Sequence, residues 1–390
     1  MRRLTVVAAL FCGILHGGTA LVLPFFNHSQ SQNLDWIGES IAESVGDSLA
    51  AEGVLTLDRG DRLEAYRRLS LRPGAELTHA SIIKIAQALD ASSVIYGVYE
   101  LTPDPANPQS KGMLRIRAHF LDLKHTHLGP EFGESGALDD LAAIETRVAW
   151  DALKLLDPQT PLTQEAFFKD RPPVRIDAVE NYIRGLLATA PDQRMRFFSQ
   201  AARLDEHYSP PAFQLAKIYW EKKDYKTAAT WFERVARTSR RYLESQFFLG
   251  LCHFYSGDYA AAENCFATVA AQMPLNEVFN NLGAAQSRQQ KTGAAVASFG
   301  KAIDGDDADP DYRFNLGFTF WHAGKYNEAI QSLRAAAQRN PSDQEATSLL
   351  GRALSKDGPR AGDPRSENRE RVKTNYDEAA YRQLQAELKK

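Results

Sequence analysis

FFLGLCHFYSGDYAAAENCF, residues 247–266, recurs in outline as NNLGAAQSRQQKTGAAVASF at 280–299 and as FNLGFTFWHAGKYNEAIQSL at 314–333. Gly250, Gly283, Gly317 and Gly351 stand 33, 34 and 34 residues apart. Ala262, Ala295 and Ala329 keep the same intervals, as do Phe266, Phe299 and Leu333, and 34 residues earlier stand Ala216, Ala228 and Phe232. A period near 34 held in three phases at once is the mark of stacked helical hairpins. The small residues sit where the two helices of a hairpin cross. The large residue eleven to sixteen positions later is expected to fill the space between hairpins. Each hairpin has its breaker: Lys223-Asp224-Tyr225, Gly257-Asp258-Tyr259, Lys291-Thr292-Gly293 and Gly324-Lys325-Tyr326. One hairpin cannot bury its apolar face alone, so stacking is what stabilises such an array.

Full repeats fall at roughly 209–242, 243–275, 276–309 and 310–343, with Pro274 and Pro341 closing two of them. A degenerate repeat with Tyr182, Gly185, Phe198 and Ala201 precedes them, and an unfinished one with Leu350 and Gly351 follows. The solenoid therefore spans 176–355. Residues 356–372 are polar, charged and broken by Pro359 and Pro364, a composition that predicts disorder. The last segment, 373–390, reads as a helix with Tyr376, Ala380, Leu384 and Leu388 in steps of four, able to fold back on the solenoid or to stand in solvent.

Upstream, residues 21–157 alternate strand and helix signals. Leu21 to Phe26 reads as a buried strand, and Val54 to Leu57 as a short one. Leu34, Ile37, Ile41, Val45 and Leu49 share one helical face, with Asn33 as the expected N-cap. Asp58 and Thr78 are placed to open two further helices. Val94 to Tyr99 and an alternating arm, with Leu114, Ile116, Ala118 and Phe120 facing one way, form a hairpin. Its loop, Thr102 to Gly112, carries three prolines and is expected to be mobile. A helix bearing Leu138, Leu141, Ile144, Val148, Ala152 and Leu155 closes the unit. Strand, helix and strand in succession imply a crossover, hence a small mixed sheet with covering helices. Pro158, Pro161, Pro172 and Pro173 make 158–175 an expected extended linker.

Residues 1–20 have the layout of a secretory signal peptide: Arg2 and Arg3, an apolar run from Leu4 to Leu15, then small residues at Gly18 and Ala20. The expectation is export, to the periplasm; a buried strand or an uncleaved anchor is the alternative. Cys252 and Cys265 lie in one hairpin, either bridged or as small apolar core residues. The net charge of −3 over 390 residues gives no basic face for nucleic acid.

The repeat closely resembles the tetratricopeptide family. Leu249-Gly250, Tyr259, Ala262, Phe266 and Pro274 carry the likeness in one repeat, and Leu316-Gly317, Gly324, Tyr326, Ala329, Ala336 and Pro341 in another. That resemblance implies a right-handed superhelix with a concave peptide-binding groove. Residues 21–157 resemble the amino-terminal domain of TolB and its relatives through Val22-Leu23-Pro24-Phe25, Asn27, Ser29, Asp35 to Glu39, Ile41-Ala42-Glu43, Ala91 to Gly97 and Arg115 to Asp122. This implies a bacterial envelope protein with protein partners. Nothing in the chain matches the propeller that follows in TolB, which puts a role in the Tol–Pal system in doubt.

In such a hairpin the first helix faces the groove. Phe213, Phe247 and Phe314 then share one groove-facing phase, with Asn280 in the odd repeat; Trp220, Phe254 and Trp321 share another, interrupted by Ser287. Buried aromatics dominate interface energetics, so this set is the candidate partner-binding groove. The plainer reading packs the same rings between helices. His125-x-His127 and the aspartates at 304, 306, 307 and 309 lack the spacing of a metal site, and no nucleotide-binding loop or nucleophile elbow is present. No metal, cofactor or catalytic residue is expected. The sequence thus predicts an α+β amino-terminal domain followed by an all-α tetratricopeptide solenoid, acting as an exported, non-enzymatic adaptor. Membrane association would come only through partners or an uncleaved leader. The alternative is a sensor whose α/β domain binds a small molecule or glycan and whose repeats relay it.

Overall fold

The computed structural model describes residues 18–29, 31–104, 109–125 and 127–388. The apolar run of the expected leader and positions 105–108 of the expected loop lie outside them. The first unit is built on a mixed sheet. β1 (Ala20–Val22) and β2 (Phe26–Asn27) both run parallel to β3 (Ser93–Thr102). β3 pairs antiparallel with β4 (Met113–Asp122), which also takes β5 (His127–Phe132) and β6 (Ser135–Ala137). The single expected first strand is thus two short ones, interrupted at Leu23–Phe25, where Pro24 has no N–H to give a ladder. The strand expected at Val54–Leu57 reduces to one bridge, Ala20 to Thr56. On β4, Leu114, Ile116, Ala118 and Phe120 are buried, as their alternation requires.

Helices α1 (Trp36–Ala51), α2 (Arg59–Arg68), α3 (His79–Ala88) and α4 (Leu141–Leu156) cover the sheet. Asp58 opens α2 with a full capping box to Asp61, and Thr78 accepts the Ser81 N–H at the start of α3. The cap of α1 is Asp35, not Asn33; the Asn33 side chain instead accepts from Arg184 at 3.0 Å.

The expected linker is not extended throughout. It contains α5 (Gln164–Lys169), capped by Thr163, and seats Phe167 at 0% exposure beside Trp150 and under the Arg171 guanidinium. Arg171 also reaches Glu52 at 2.6 Å, tying this segment to α1. The hairpins follow: α6 (Ile176–Leu187) with α7 (Pro191–Leu204), α8 (Pro210–Glu221) with α9 (Tyr225–Phe232), α10 (Tyr242–Ser256) with α11 (Tyr259–Gln272), α12 (Asn276–Arg288) with α13 (Thr292–Gly305), and α14 (Pro310–His322) with α15 (Tyr326–Arg339). α16 (Gln344–Leu354) ends the array and α17 (Glu378–Leu388) ends the described chain. One hydrophobic core runs from the sheet through α1 and α4 into the first hairpin and on to α8, joining Ile37, Val148 and Phe167 to Ile183, Phe198 and Leu215.

Within a hairpin the periodic glycine is the seat of the periodic large residue. A Cβ on Gly250 would stand 2.7 Å from the Phe266 ring, on Gly283 2.8 Å from Phe299, and on Gly317 2.7 Å from Leu333. The large side chain therefore packs first inside its own hairpin, on the backbone of the crossing helix, rather than only between hairpins. The turns share a left-handed residue at Lys223, Gly257, Gln290, Gly324 and Lys356. The third breaker accordingly centres on Gln290, while Gly293 is already helical.

Candidate functional site

The first helices of the hairpins, α10, α12 and α14, present a row of polar and aromatic side chains, and residues 357–384 lie along that row. The segment expected to be disordered is thus an ordered strap. Its composition lacks an apolar core, but its charged groups find fixed partners on the array, which supplies the stability that burial of its own side chains could not.

The contacts are of two kinds. Asparagines hold the backbone. Asn280 and Asn315 both donate through Nδ2 to the carbonyl of Arg371, at 2.8 and 2.9 Å, and Asn315 Oδ1 accepts the Arg371 N–H at 2.8 Å. Asn281 donates to the Lys373 carbonyl at 2.8 Å and accepts its N–H at 2.7 Å. Asn315 also donates to Asn280 Oδ1 at 2.7 Å, so the row is cross-braced. All three asparagines are fully buried. The strap covers these amides and supplies their hydrogen-bond partners at once, so their burial leaves no polar group unpaired.

Charged pockets hold the side chains. Glu370 pairs with Arg288 and accepts from Ser287 Oγ at 3.0 Å. The Arg371 guanidinium meets Asp311 (3.0 Å), Asp343 (2.6 Å) and Glu345 (3.2 Å), and lies 3.6 Å from the Phe314 ring centroid. Lys373 bridges Asp309 (2.6 Å) and Asp311 (2.7 Å). The Arg371 hydrogen bond holds the Asp343 carboxyl below its ordinary range. Burial alone would raise Asp311, but Lys373 and Arg371 outweigh it and hold that carboxyl low as well. Further along, Tyr376 packs edge-on against Phe247 at 5.1 Å, Tyr381 and Leu384 join the same core, and Arg382 reaches Asp61 of α2 at 3.0 Å. The last helix therefore folds back beside α10 and the α/β unit.

The candidate groove residues divide between strap and core. Phe247, Asn280 and Phe314 touch Tyr376 or Arg371, and Trp321 donates from Nε1 to the Asp357 carbonyl at 2.8 Å. Phe213 packs on Phe232 beneath Arg241, Phe254 packs on Tyr259 near Arg288, and the half-buried Trp220 packs among Tyr225, Phe248 and Tyr255. Sequence reasoning missed Asn281, Asn315, Arg288, Asp311 and Asp343. The available signal was a pair of adjacent asparagines in an otherwise apolar helical phase.

A second concavity, about 480 Å³, opens beyond the carboxyl ends of β1 and β2, lined by Phe25, Asn27, Asp35, Glu39, Arg59 and Arg62. Arg62 is buried between Glu39 (2.8 Å) and Glu43 (2.5 Å), and its Nη1 has no hydrogen-bond partner among the described residues. Among those residues there is no group of three His, Cys, Asp or Glu side chains arranged for a metal, and no helix long and apolar enough to cross a membrane. Cys252 and Cys265 are buried free thiols.

Residues 213–277, 280–344 and 314–358 match the family described as tetratricopeptide repeat. The helical array is thus a tetratricopeptide solenoid. Sperm-associated antigen 1 of Rattus norvegicus is 27% identical over 97 residues, and its Mus musculus counterpart 28%. The match takes 25% of this chain but spans only 11% of the length of either relative. Among solved structures, YrrB, described as a TPR protein with an unusual peptide-binding site, is 17% identical and covers 40% of this chain and 82% of its own, with a TM-score of 0.35. MamA from Desulfovibrio magneticus RS-1 is 20% identical over 41% of this chain and 92% of its own, with a TM-score of 0.37.

Proposed function

We propose that this tetratricopeptide-repeat protein is an exported, non-enzymatic adaptor of the bacterial envelope, holding one partner on the inner face of its solenoid and another through its α/β domain. The observation that carries the reading is the asparagine row: three buried amides aimed at the main chain of an extended segment are suited to holding a peptide, not to chemistry on one. The leader-like start and the resemblance of residues 21–157 to the TolB amino-terminal domain support export and envelope partners. The test joins cell fractionation to capture from envelope extract. The expected result is a periplasmic protein whose captured partners are lost with Asn280→Ala/Asn315→Ala. A cytoplasmic protein, or capture indifferent to those asparagines, would overturn the corresponding half.

The cleft beside Arg62 favours a second reading, in which the α/β domain binds a small molecule. Parallel strands commonly place ligands beyond their carboxyl ends. A thermal shift with an envelope metabolite that is abolished by Arg59→Ala would support it.

A further inference from the structure

We infer that the asparagine row is a receptor for an extended Glu-Arg-x-Lys segment, and that residues 366–377 occupy it in cis, so that a partner carrying the same spacing enters by displacing them. The inference rests on the adaptor reading above and gives it a partner chemistry.

Three observations carry it. First, the strap is held as a ligand would be. Arg371 and Lys373, two residues apart, each have both main-chain groups bonded to asparagine side chains, so alternate residues of an extended chain face the wall. Such contacts accept any residue type. Second, selection lies in the pockets. Arg288 takes a carboxylate, the Asp311–Asp343–Glu345 group with the Phe314 face takes a guanidinium, and the Asp309–Asp311 pair takes an ammonium. The order acid, guanidinium, a residue packed on the array's core (Val372 in the strap), ammonium is therefore read from the wall itself. A planar guanidinium fits the forked carboxylates and the ring face better than lysine would. Third, the strap is joined to the array through an exposed stretch, 359–362, that includes Gly362 in a left-handed conformation, a hinge about which it can leave once the polar contacts of Arg365 and Ser366 with Arg352, and of Arg371 with Asp343 and Glu345, are broken.

A tethered segment competes at a high effective concentration, on the order of millimolar for a short connection. An intact chain should therefore bind such a peptide from solution about 100-fold or more weakly than one whose strap has been expelled. The probe is a fluorescent peptide of residues 364–377, read by anisotropy against the full chain and against Arg371→Glu/Lys373→Glu, which places acids against Asp311 and Asp343. The expected result is tight binding to the double variant only. That binding should fall at least about tenfold when the peptide carries Arg371→Ala or when the receptor also carries Asn280→Ala/Asn315→Ala. Equal binding to both chains would overturn the cis assignment, and so would a dimer of the intact chain formed by exchange of straps. Indifference to the peptide substitution would overturn the partner chemistry. Should the double variant lose its helical signal, a protease site inserted between Pro359 and Gly362 and cut after folding replaces it, with faster peptide uptake after cutting as the expected result and unchanged uptake as the refutation. Failure here with continued asparagine-dependent capture leaves the adaptor standing; loss of both removes it.

Discussion

Alanine placed at Gly283 and at Gly300 should change stability in opposite directions. Both glycines are helical, in α12 and α13, and alanine gains about 1 kcal/mol over glycine in a helix interior at either site. At Gly300 nothing lies within 4 Å of the added methyl, so that gain is all there is. At Gly283 the methyl would stand 2.8, 2.8 and 3.0 Å from three carbons of the Phe299 ring. Carbon atoms pack best near 3.5–4.0 Å, so the ring must retreat by about 0.7 Å or more. Phe299 is fully buried and has no open side to move toward. Overpacking of this kind costs about 1–3 kcal/mol. Because helix propensity cancels between the two variants, their difference isolates that cost. Urea unfolding followed by circular dichroism measures it: the Gly300→Ala midpoint should rise, the Gly283→Ala midpoint should fall, and the gap should correspond to about 1–3 kcal/mol. Equal midpoints would show that the ring does not rest on the glycine, and the account of the 34-residue period would fail with it.

Burial raises the Glu145 carboxyl to about 7, against hydrogen bonds from Ser40 and Ser44 that pull it down. The folded state then binds the proton more tightly than the unfolded one, so stability is fullest below pH 4.5 and is lost as pH rises through about 7. Glu145→Gln should match the native protein near pH 5 and exceed it by roughly 2–3 kcal/mol near pH 8 in denaturant titrations. Burial pushes both Cys252 and Cys265 thiols up to about 12, so iodoacetamide at pH 8 should label neither until the chain is unfolded. Lys223 holds φ at +58° in its turn, and Lys223→Gly should raise the thermal midpoint by the equivalent of about 0.5 kcal/mol, the strain relieved exceeding the entropy added to the unfolded chain.

The solenoid was legible because its signal is local. Gly250 and Phe266 are sixteen residues apart on crossing helices, and the same pair recurs at 283 and 299. The strap was not, because the carboxylate partners of Arg371 lie 26 to 60 residues away, on α14 and at the start of α16, and ion pairs leave no periodicity. Proline counting misjudged 158–175 for a related reason: Phe167 and Phe168, two adjacent rings in a polar stretch, were the sign of a docked helix. The phase shared by Phe247, Asn280 and Phe314 runs beneath the strap, and no local spacing announces that the chain itself lies there.

Repeat arrays behave as rows of coupled neighbours and ordinarily fray from their two termini. Here the sheet unit shares its core with the first hairpin, and Asp357, bonded to Trp321, folds over the last. Melting is then steered inward, toward the α12–α13 hairpin, which buries the polar side chains Asn280, Asn281 and Gln286 beside its apolar ones. That hairpin is stitched by Glu370, Arg371 and Lys373, so whatever pulls them off also loosens the middle of the rod, and amide exchange in α12 becomes a gauge of whether the seat is taken.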